Sequence, residues 1–148
     1  MLKLSSEVEV KMAGWIYDED TKMLSKHPQV HFLGVVPQQE SMKIASQCDY
    51  ILSLYEPKNE NNINASPNKI YDAIQAQTPV IINAEVKIAE FVKKQAIGYV
   101  LDSFYQMEYE KILQDLISLK GSFHFSSSLQ NKYTWEAIEN KLLQAHLR

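Results

Sequence analysis

Two adjoining stretches decide the fold of this chain: Ser66-Pro67-Asn68-Lys69-Ile70-Tyr71-Asp72-Ala73-Ile74 and Thr78-Pro79-Val80-Ile81-Ile82. The first predicts a helix that begins at Pro67, because proline lacks the N–H group that stays unpaired at a first helical position. We expect the Ser66 hydroxyl to cap this helix by accepting from an N–H group of its first turn. The second stretch predicts a turn and a buried strand. Helical spacing predicts three core-facing residues, Ile70, Ala73 and Ile74.

The polar residues of the same segment predict a ligand site. A helix N-terminus presents free N–H groups and the positive end of the helix dipole, and it therefore suits a phosphate. Asp72 lies off the apolar side of the predicted helix, so its carboxylate is free to bind a polar ligand. The alternative interpretation is that Asp72 is a solvated surface residue.

Strand and helix patterns alternate along the rest of the chain. Apolar or alternating runs predict strands at residues 8–15, 30–33, 50–54, 80–82 and 98–101, and we expect the run at 50–54 to be buried on both faces. Helical patterns lie at residues 18–26, 37–47, 86–94, 109–116 and 133–145, besides the one that begins at Pro67. Residues 56–65, rich in asparagine, predict a long polar loop, and residues 126–128 begin a polar break.

This alternation predicts an α/β fold, with a Rossmann-like parallel sheet and helices on both faces. Ligands in such sheets bind at the carboxyl ends of the strands. That rule places residues 34–38, 55–69 and 83–86 on one edge of the predicted sheet. The segment around Asp72 therefore begins on the edge where a ligand is expected.

Length and composition favour a single soluble domain. The chain has 148 residues, an apolar share of 45% and a net charge of −3, which argues against a nucleic-acid partner. Cys48 is the one cysteine, which fits a reducing compartment. No run of residues resembles a transmembrane span or a signal peptide, so we expect a cytoplasmic protein.

The deciding stretch resembles the donor-sugar-nucleotide motif of retaining glycosyltransferases of the GT-B fold, the glycosyl transferases group 1 family. In that family the motif lies in the C-terminal domain. The chain departs from it at Gln77, where the family usually has glycine. Weaker similarity extends outward through residues 30–36, 45–54 and 133–136, so that it covers about residues 8–140. The matching motif residues are Ser66, Pro67, Lys69, Ile70, Tyr71, Asp72, Pro79, Val80 and Ile81.

The resemblance implies roles for particular residues. Asp72 would accept both ribose hydroxyls of a nucleotide sugar, and Asn64 stands where the family often has a glutamate that contacts the sugar. Lys69 would neutralise phosphate or be an ordinary exposed lysine.

Backbone N–H groups within the segment Ala65, Ser66, Pro67 and Asn68 would face the diphosphate or the sugar. The nucleotide base would lie against main-chain groups at Val35, Val36 and Pro37, which equally fit a simple strand-to-helix turn.

As a function, the resemblance implies transfer of a sugar from a UDP- or GDP-linked donor to an acceptor, in surface polysaccharide biosynthesis. No metal or other cofactor is implied, and no catalytic residue is identified. The expected partners are the donor, a missing N-terminal acceptor domain and, for the full-length enzyme, a peripheral membrane association. We expect residues 1–148 to be one partial nucleotide-sugar-binding domain that does not catalyse transfer alone, because the family's first strand and its phosphate-gripping arginine and lysine have no counterpart here.

Three alternatives remain at this point. A sugar-nucleotide epimerase of the same fold would need further catalytic acids and histidines. A degenerate, non-catalytic binding module fits Asn64, Gln77 and the absent first strand. A receiver-like signalling domain would need an acid that closes an early strand, whereas Asp49 precedes its strand. Nucleotide binding would distinguish a transferase or an epimerase from a degenerate binding module.

Overall fold

The computed structural model describes residues 6–146 of the chain, with side chains through residue 145. The described residues form two compact units, one up to Ser41 and the other from Met42 onward. The division falls inside helix α2 (Gln38–Ala45). Both units contain parallel strands connected by helices, as the sequence predicts.

The first unit is a two-stranded parallel sheet. It contains β1 (Val10–Met12), α1 (Glu19–Leu24) and β2 (Val30–Phe32), and Val10 pairs with Val30. The Gly14 N–H group donates to the Gly34 carbonyl at 2.8 Å and joins the loops that follow the two strands.

The second unit is built on a three-stranded parallel sheet in the order β3-β4-β5. Its strands are β3 (Ile51–Leu52), β4 (Val80–Asn83) and β5 (Gly98–Leu101). Its helices are α3 (Glu60–Ile63), α4 (Asn68–Ala76), α5 (Ala89–Gln95), α6 (Tyr109–Ser118), α7 (Ser127–Lys132) and α8 (Trp135–His146). These small parallel sheets with flanking helices confirm the α/β class and are compatible with a Rossmann-like fold. Between residues 6 and 146 there is no helix with the length and apolar character needed to cross a membrane.

The core of the second unit lies between β4 and helices α4 and α5. All four residues of β4 are buried, and α4 packs on them through Ile70, Ala73 and Ile74, which confirms the predicted core-facing side. Full burial of each large aliphatic side chain contributes about 1.5–3 kcal/mol. Strands β4 and β5 lie close together at Gly98. A Cβ atom there would lie 2.1 Å from the Val80 carbonyl oxygen, so the position has no room for a side chain.

Strand β3 differs from the prediction that both of its faces are buried. Leu52 is 58% exposed, whereas Ser53 beside it is 2% exposed. Strand β3 has two residues and lies at the edge of its sheet, so fewer neighbours surround it than surround β4. Burial on both faces holds for β4, whose four successive residues are all buried.

Two helices occupy segments whose polar composition predicts loops. The predicted loop at residues 56–65 contains α3, and the predicted break at residues 126–128 begins α7. In each case a polar residue caps the helix: Asn59 accepts from the Asn62 N–H group at 2.9 Å, and Ser126 accepts from the Leu129 N–H group at 3.1 Å. The prediction of loops is wrong at these helices because asparagine and serine stabilise helix starts as well as loops.

The start of α4 also differs from the prediction. Pro67 is the N-cap residue, the helix begins at Asn68, and no side chain caps it. The Ser66 hydroxyl lies instead 3.2 Å from the Tyr71 hydroxyl. The predicted Ser66 cap is therefore wrong, because Ser66 precedes the true cap position by one residue.

Helix α4 ends at a residue in the left-handed conformation. Gln77 has φ 55° and its N–H group donates to the Ala73 carbonyl. Glycine is favoured at such a position because it has no Cβ atom to crowd the backbone. In this chain Gln77 thus forms a turn that glycine would form with less strain.

We expect Gln77→Gly to raise the free energy of unfolding by about 0.5–1 kcal/mol, because relief of the left-handed strain exceeds the added entropy of the unfolded chain. Urea denaturation followed by circular dichroism measures the change. Gln77→Ala is the matched control, since it removes the long side chain and keeps the Cβ atom. Equal stability of the glycine and alanine variants would contradict the expectation.

The three buried polar side chains of the second unit differ in their hydrogen bonds. Thr78 donates to the Ala45 carbonyl at 2.8 Å, and both polar ends of the Asn83 carboxamide are bonded. The Ser53 hydroxyl has no partner among the residues that the structure describes. A buried polar group without a partner destabilises the folded state.

Ser53→Ala should therefore raise the free energy of unfolding by about 1 kcal/mol, because it removes an unsatisfied buried hydroxyl. Thr78→Val is the control, and it should lower stability by a similar amount because its hydroxyl is bonded. Thermal and urea unfolding measure both. A loss of stability in Ser53→Ala would show that the hydroxyl has a stabilising partner.

Candidate functional site

The carboxyl edge of the β3-β4-β5 sheet carries the candidate site. Because the three strands are parallel, the loops that follow each strand emerge at this one edge. Helix α4 runs from this edge back to the start of β4, so its N-terminus lies at the carboxyl edge. Most of the site residues predicted from the sequence belong to the loop and helix between β3 and β4.

The N-terminus of α4 has unused hydrogen-bond donors. The N–H groups of Asn68 and Lys69 have no partner among the described residues, whereas the Ile70 N–H group donates to the Pro67 carbonyl at 3.0 Å. Helices α1, α3 and α7 differ, because each is capped by its own polar side chain. Uncapped N–H groups and the positive end of the helix dipole can hold an anion such as a phosphate.

Asp72 lies one turn inside α4 and is half-buried. Its carboxylate makes no hydrogen bond or ion pair with the part of the chain that the structure describes. Burial raises the pKa of the Asp72 carboxyl, and the positive charge of Lys69 partly opposes that shift. A partly desolvated carboxylate without a partner is a strong acceptor for ligand hydroxyl groups.

The neighbouring predicted residues have different surroundings. Asn64 is exposed and ends α3, where its side-chain amide donates to the Glu60 carbonyl at 2.7 Å. Its side-chain oxygen remains available as an acceptor. Lys69 is exposed, Pro67 is buried and Ala65 packs against the core. The structure thus places the seven residues Asn64, Ala65, Ser66, Pro67, Asn68, Lys69 and Asp72 on one continuous loop-and-helix segment.

The three residues predicted to hold a base belong to the first unit. Val35, Val36 and Pro37 follow β2 after Leu33 and Gly34, and Val35 is exposed. The main-chain groups of Val35 and Val36 have no hydrogen-bond partner among residues 6–146. The Pro37 carbonyl accepts from the Ser41 N–H group at 2.9 Å as α2 begins. Main-chain groups at Val35 and Val36 are therefore free to bond a planar ligand.

Two further residues at the carboxyl edge of the second unit were not singled out as site residues from the sequence. Asn83 ends β4 and is fully buried, and its carboxamide bonds both main-chain groups of Tyr55 at 3.0 Å. Glu85 accepts from the Asn83 side chain at 2.8 Å and from the Phe104 N–H group at 2.8 Å. The available sequence signal was an asparagine that closes the otherwise apolar strand Val80–Asn83.

A cavity lies at the opposite edge of the same sheet. Its volume is about 440 Å³, and it is bordered by the residues that end α4 and α5, including Gln77 and Gln95. Phe123, His124 and Phe125 complete one side. This cavity is separate from the segment that carries Asp72, because α4 runs between the two edges of the sheet.

Comparison with known proteins supports a glycosyltransferase relationship. Residues 1–118 match the family model described as glucosyltransferase 3-like, C-terminal domain, and the match ends with α6. No curated protein matches the chain. The predicted resemblance is thereby confirmed at the level of a glycosyltransferase C-terminal domain. The chain belongs to the family of glucosyltransferase 3-like C-terminal domains.

Proposed function

We propose that this chain is the donor-binding domain of a glycosyltransferase, which transfers a sugar from a nucleoside diphosphate sugar to an acceptor in surface polysaccharide biosynthesis. The observation that carries the proposal is the α4 segment. It combines uncapped N–H groups at Asn68 and Lys69 with the unpartnered carboxylate of Asp72. The two features suit the diphosphate and the ribose of one ligand.

The diphosphate would lie at the N-terminus of α4. The N–H groups and the helix dipole there would stabilise negative charge, and Lys69 would add a cation nearby. Negative charge builds up on the diphosphate as the bond to the sugar breaks. The same groups would therefore favour departure of the nucleoside diphosphate, which is the leaving group of the reaction.

The ribose and the sugar would lie on either side of the diphosphate. Asp72 would accept hydrogen bonds from the two ribose hydroxyls, and the side-chain oxygen of Asn64 would accept from a sugar hydroxyl. The base of the donor is expected to be uracil or guanine. The family description, a glucosyltransferase 3-like protein, makes glucose the first sugar to test.

The acceptor would be bound by a second domain. None of the residues that we assign to the donor is a nucleophile or a general base placed against an acceptor. We therefore expect the chain to bind the donor and to require an acceptor-binding partner domain for transfer. Binding of a nucleotide sugar without transfer is the activity expected of the chain on its own.

We expect Asp72→Asn to weaken binding of the preferred donor at least about tenfold, because charge-assisted hydrogen bonds to the ribose contribute roughly 1.5–3 kcal/mol. Calorimetric titration with UDP, UDP-glucose, GDP and GDP-glucose measures the affinity. The substitution preserves the shape of the side chain and removes an unpaired charge, so the fold should be retained.

Glu90→Gln is the control for this titration, because it neutralises an exposed carboxylate of α5. It should leave the affinity unchanged. Equal affinities of the two variants would contradict the role of Asp72. Absence of binding to every nucleotide at millimolar concentration would contradict donor binding and favour a degenerate module.

Donor affinity should also fall as the pH is lowered. The ligand hydroxyls need the ionised carboxylate, and burial raises the pKa of Asp72 above its ordinary value of 3.8. Protonation therefore competes with the donor at a higher pH than it would for an exposed aspartate. Titrations from neutral to acidic pH should show this loss in the native chain and a flat profile in Asp72→Asn. A flat profile in both would exclude Asp72 as the titrating group.

A further inference from the structure

The carboxamide of Asn83 makes a pair of hydrogen bonds that resembles strand pairing. Its oxygen accepts from the Tyr55 N–H group, and its nitrogen donates to the Tyr55 carbonyl, each at 3.0 Å. The orientation of the carboxamide follows from these partners, because an N–H group only donates and a carbonyl only accepts. The last main-chain bond between β3 and β4 runs from the Ser53 N–H group to the Ile81 carbonyl. Asn83 therefore extends the attachment of this chain segment to β4 by two residues.

Glu85 connects the same carboxamide to a third loop. One carboxylate oxygen accepts from the second donor of Asn83, and the other accepts from the Phe104 N–H group. Burial opposes the charge on Glu85, but these hydrogen bonds outweigh burial and lower its pKa. The carboxylate is therefore ionised at neutral pH. Together the two side chains join the loops that follow β3, β4 and β5.

The loop that follows β3 and contains Tyr55 leads directly into the segment from Asn64 to Asp72, which is proposed to bind the donor. Nine residues after Tyr55 the chain reaches Asn64, and α4 with Asp72 follows. A second tie holds the end of α3, because the Lys87 N–H group donates to the Ile63 carbonyl at 2.9 Å. The far side of the segment is fixed by the burial of Ile70 and Ile74. The position of the uncapped α4 terminus therefore depends on both the core and the Asn83 hydrogen bonds.

We propose that Asn83 and Glu85 are positioning residues that hold the loop between β3 and α4 in its donor-binding conformation. This inference rests on the proposed function. Asn83 occupies a fully buried position directly after Ile81 and Ile82, where an apolar side chain would suit packing alone. The oxygen and the NH2 group of the Asn83 carboxamide instead form hydrogen bonds with Tyr55 and Glu85, which lie in the loops after β3 and β4. The two residues act through the loop and touch no ligand themselves.

The test uses two variants that break the hydrogen bonds differently. Asn83→Leu keeps the branched shape of the side chain, adds some volume and removes every hydrogen bond of the carboxamide. Glu85→Gln keeps the shape of the side chain but replaces one acceptor oxygen with an NH2 group. This NH2 group would face another donor, either the Asn83 amide or the Phe104 N–H group, so that one hydrogen bond is lost. Glu85→Gln serves where Asn83→Leu does not fold, and Glu90→Gln is the matched control on α5. Calorimetry with the preferred nucleotide sugar gives the affinities, and urea unfolding confirms that each variant is folded.

A double-mutant cycle with Asp72→Asn distinguishes positioning from general destabilisation. We expect each positioning variant to weaken donor binding about tenfold in the native background and less than about threefold in the Asp72→Asn background. The two effects should be non-additive because the loop ends at the N-terminus of α4, one turn before Asp72, and a donor displaced there would also lose its contact with the Asp72 carboxylate. Full additivity, or unchanged affinity in both folded variants, would overturn the proposal.

Amide hydrogen exchange tests the same proposal without a ligand. In Glu85→Gln we expect faster exchange at Tyr55 and through residues 56–66, with unchanged exchange at the buried residues of β4 and α4. Faster exchange throughout the second unit, or no change in the loop, would overturn positioning. If the native chain binds no nucleotide, the proposed donor function fails, and the exchange pattern alone decides whether Asn83 and Glu85 hold the loop.

Discussion

Strand β4 ends at Asn83, whose side-chain amide can be buried only when its polar atoms have hydrogen-bond partners. Val80, Ile81 and Ile82 enter the core through the hydrophobic effect, whereas Asn83 enters it at the same depth only because its carboxamide is fully hydrogen-bonded. Those partners are main-chain groups of Tyr55 and the carboxylate of Glu85. One requirement, satisfaction of a buried amide, thus links the core of the second unit to the loops at its carboxyl edge.

Much of the fold could be predicted from the sequence, because its signals are local. The spacing of Ile70, Ala73 and Ile74 identifies the buried side of α4, and continuous apolar residues identify β4. Helix α3 and helix α7 escaped prediction because their starts depend on asparagine and serine side chains, which also favour loops. Exposure of Leu52 could not be predicted, because the covering of a strand's faces is a property of tertiary structure.

The part of the candidate site that lies on one continuous stretch of chain could be predicted from the sequence. The part formed by residues far apart in the sequence could not. Asp72 and the residues from Asn64 to Lys69 lie on one stretch of chain, so a motif and a topology rule were enough to group them. The contacts of Asn83 with Tyr55 and of Glu85 with Phe104 join residues 28 and 19 positions apart. No local pattern in the sequence indicates such pairs.

The left-handed residue at the end of α4 bears on how relatives of this chain can be recognised. The turn at Gln77 has the backbone conformation that glycine favours, although the side chain is long and polar. Ala96 ends α5 in the same way, so this chain twice forms the turn without glycine. A sequence signature that demands glycine at such positions selects for ease of folding rather than for ligand chemistry. Family members with equivalent binding segments would be overlooked by it, and a signature built on the turn geometry would retain them.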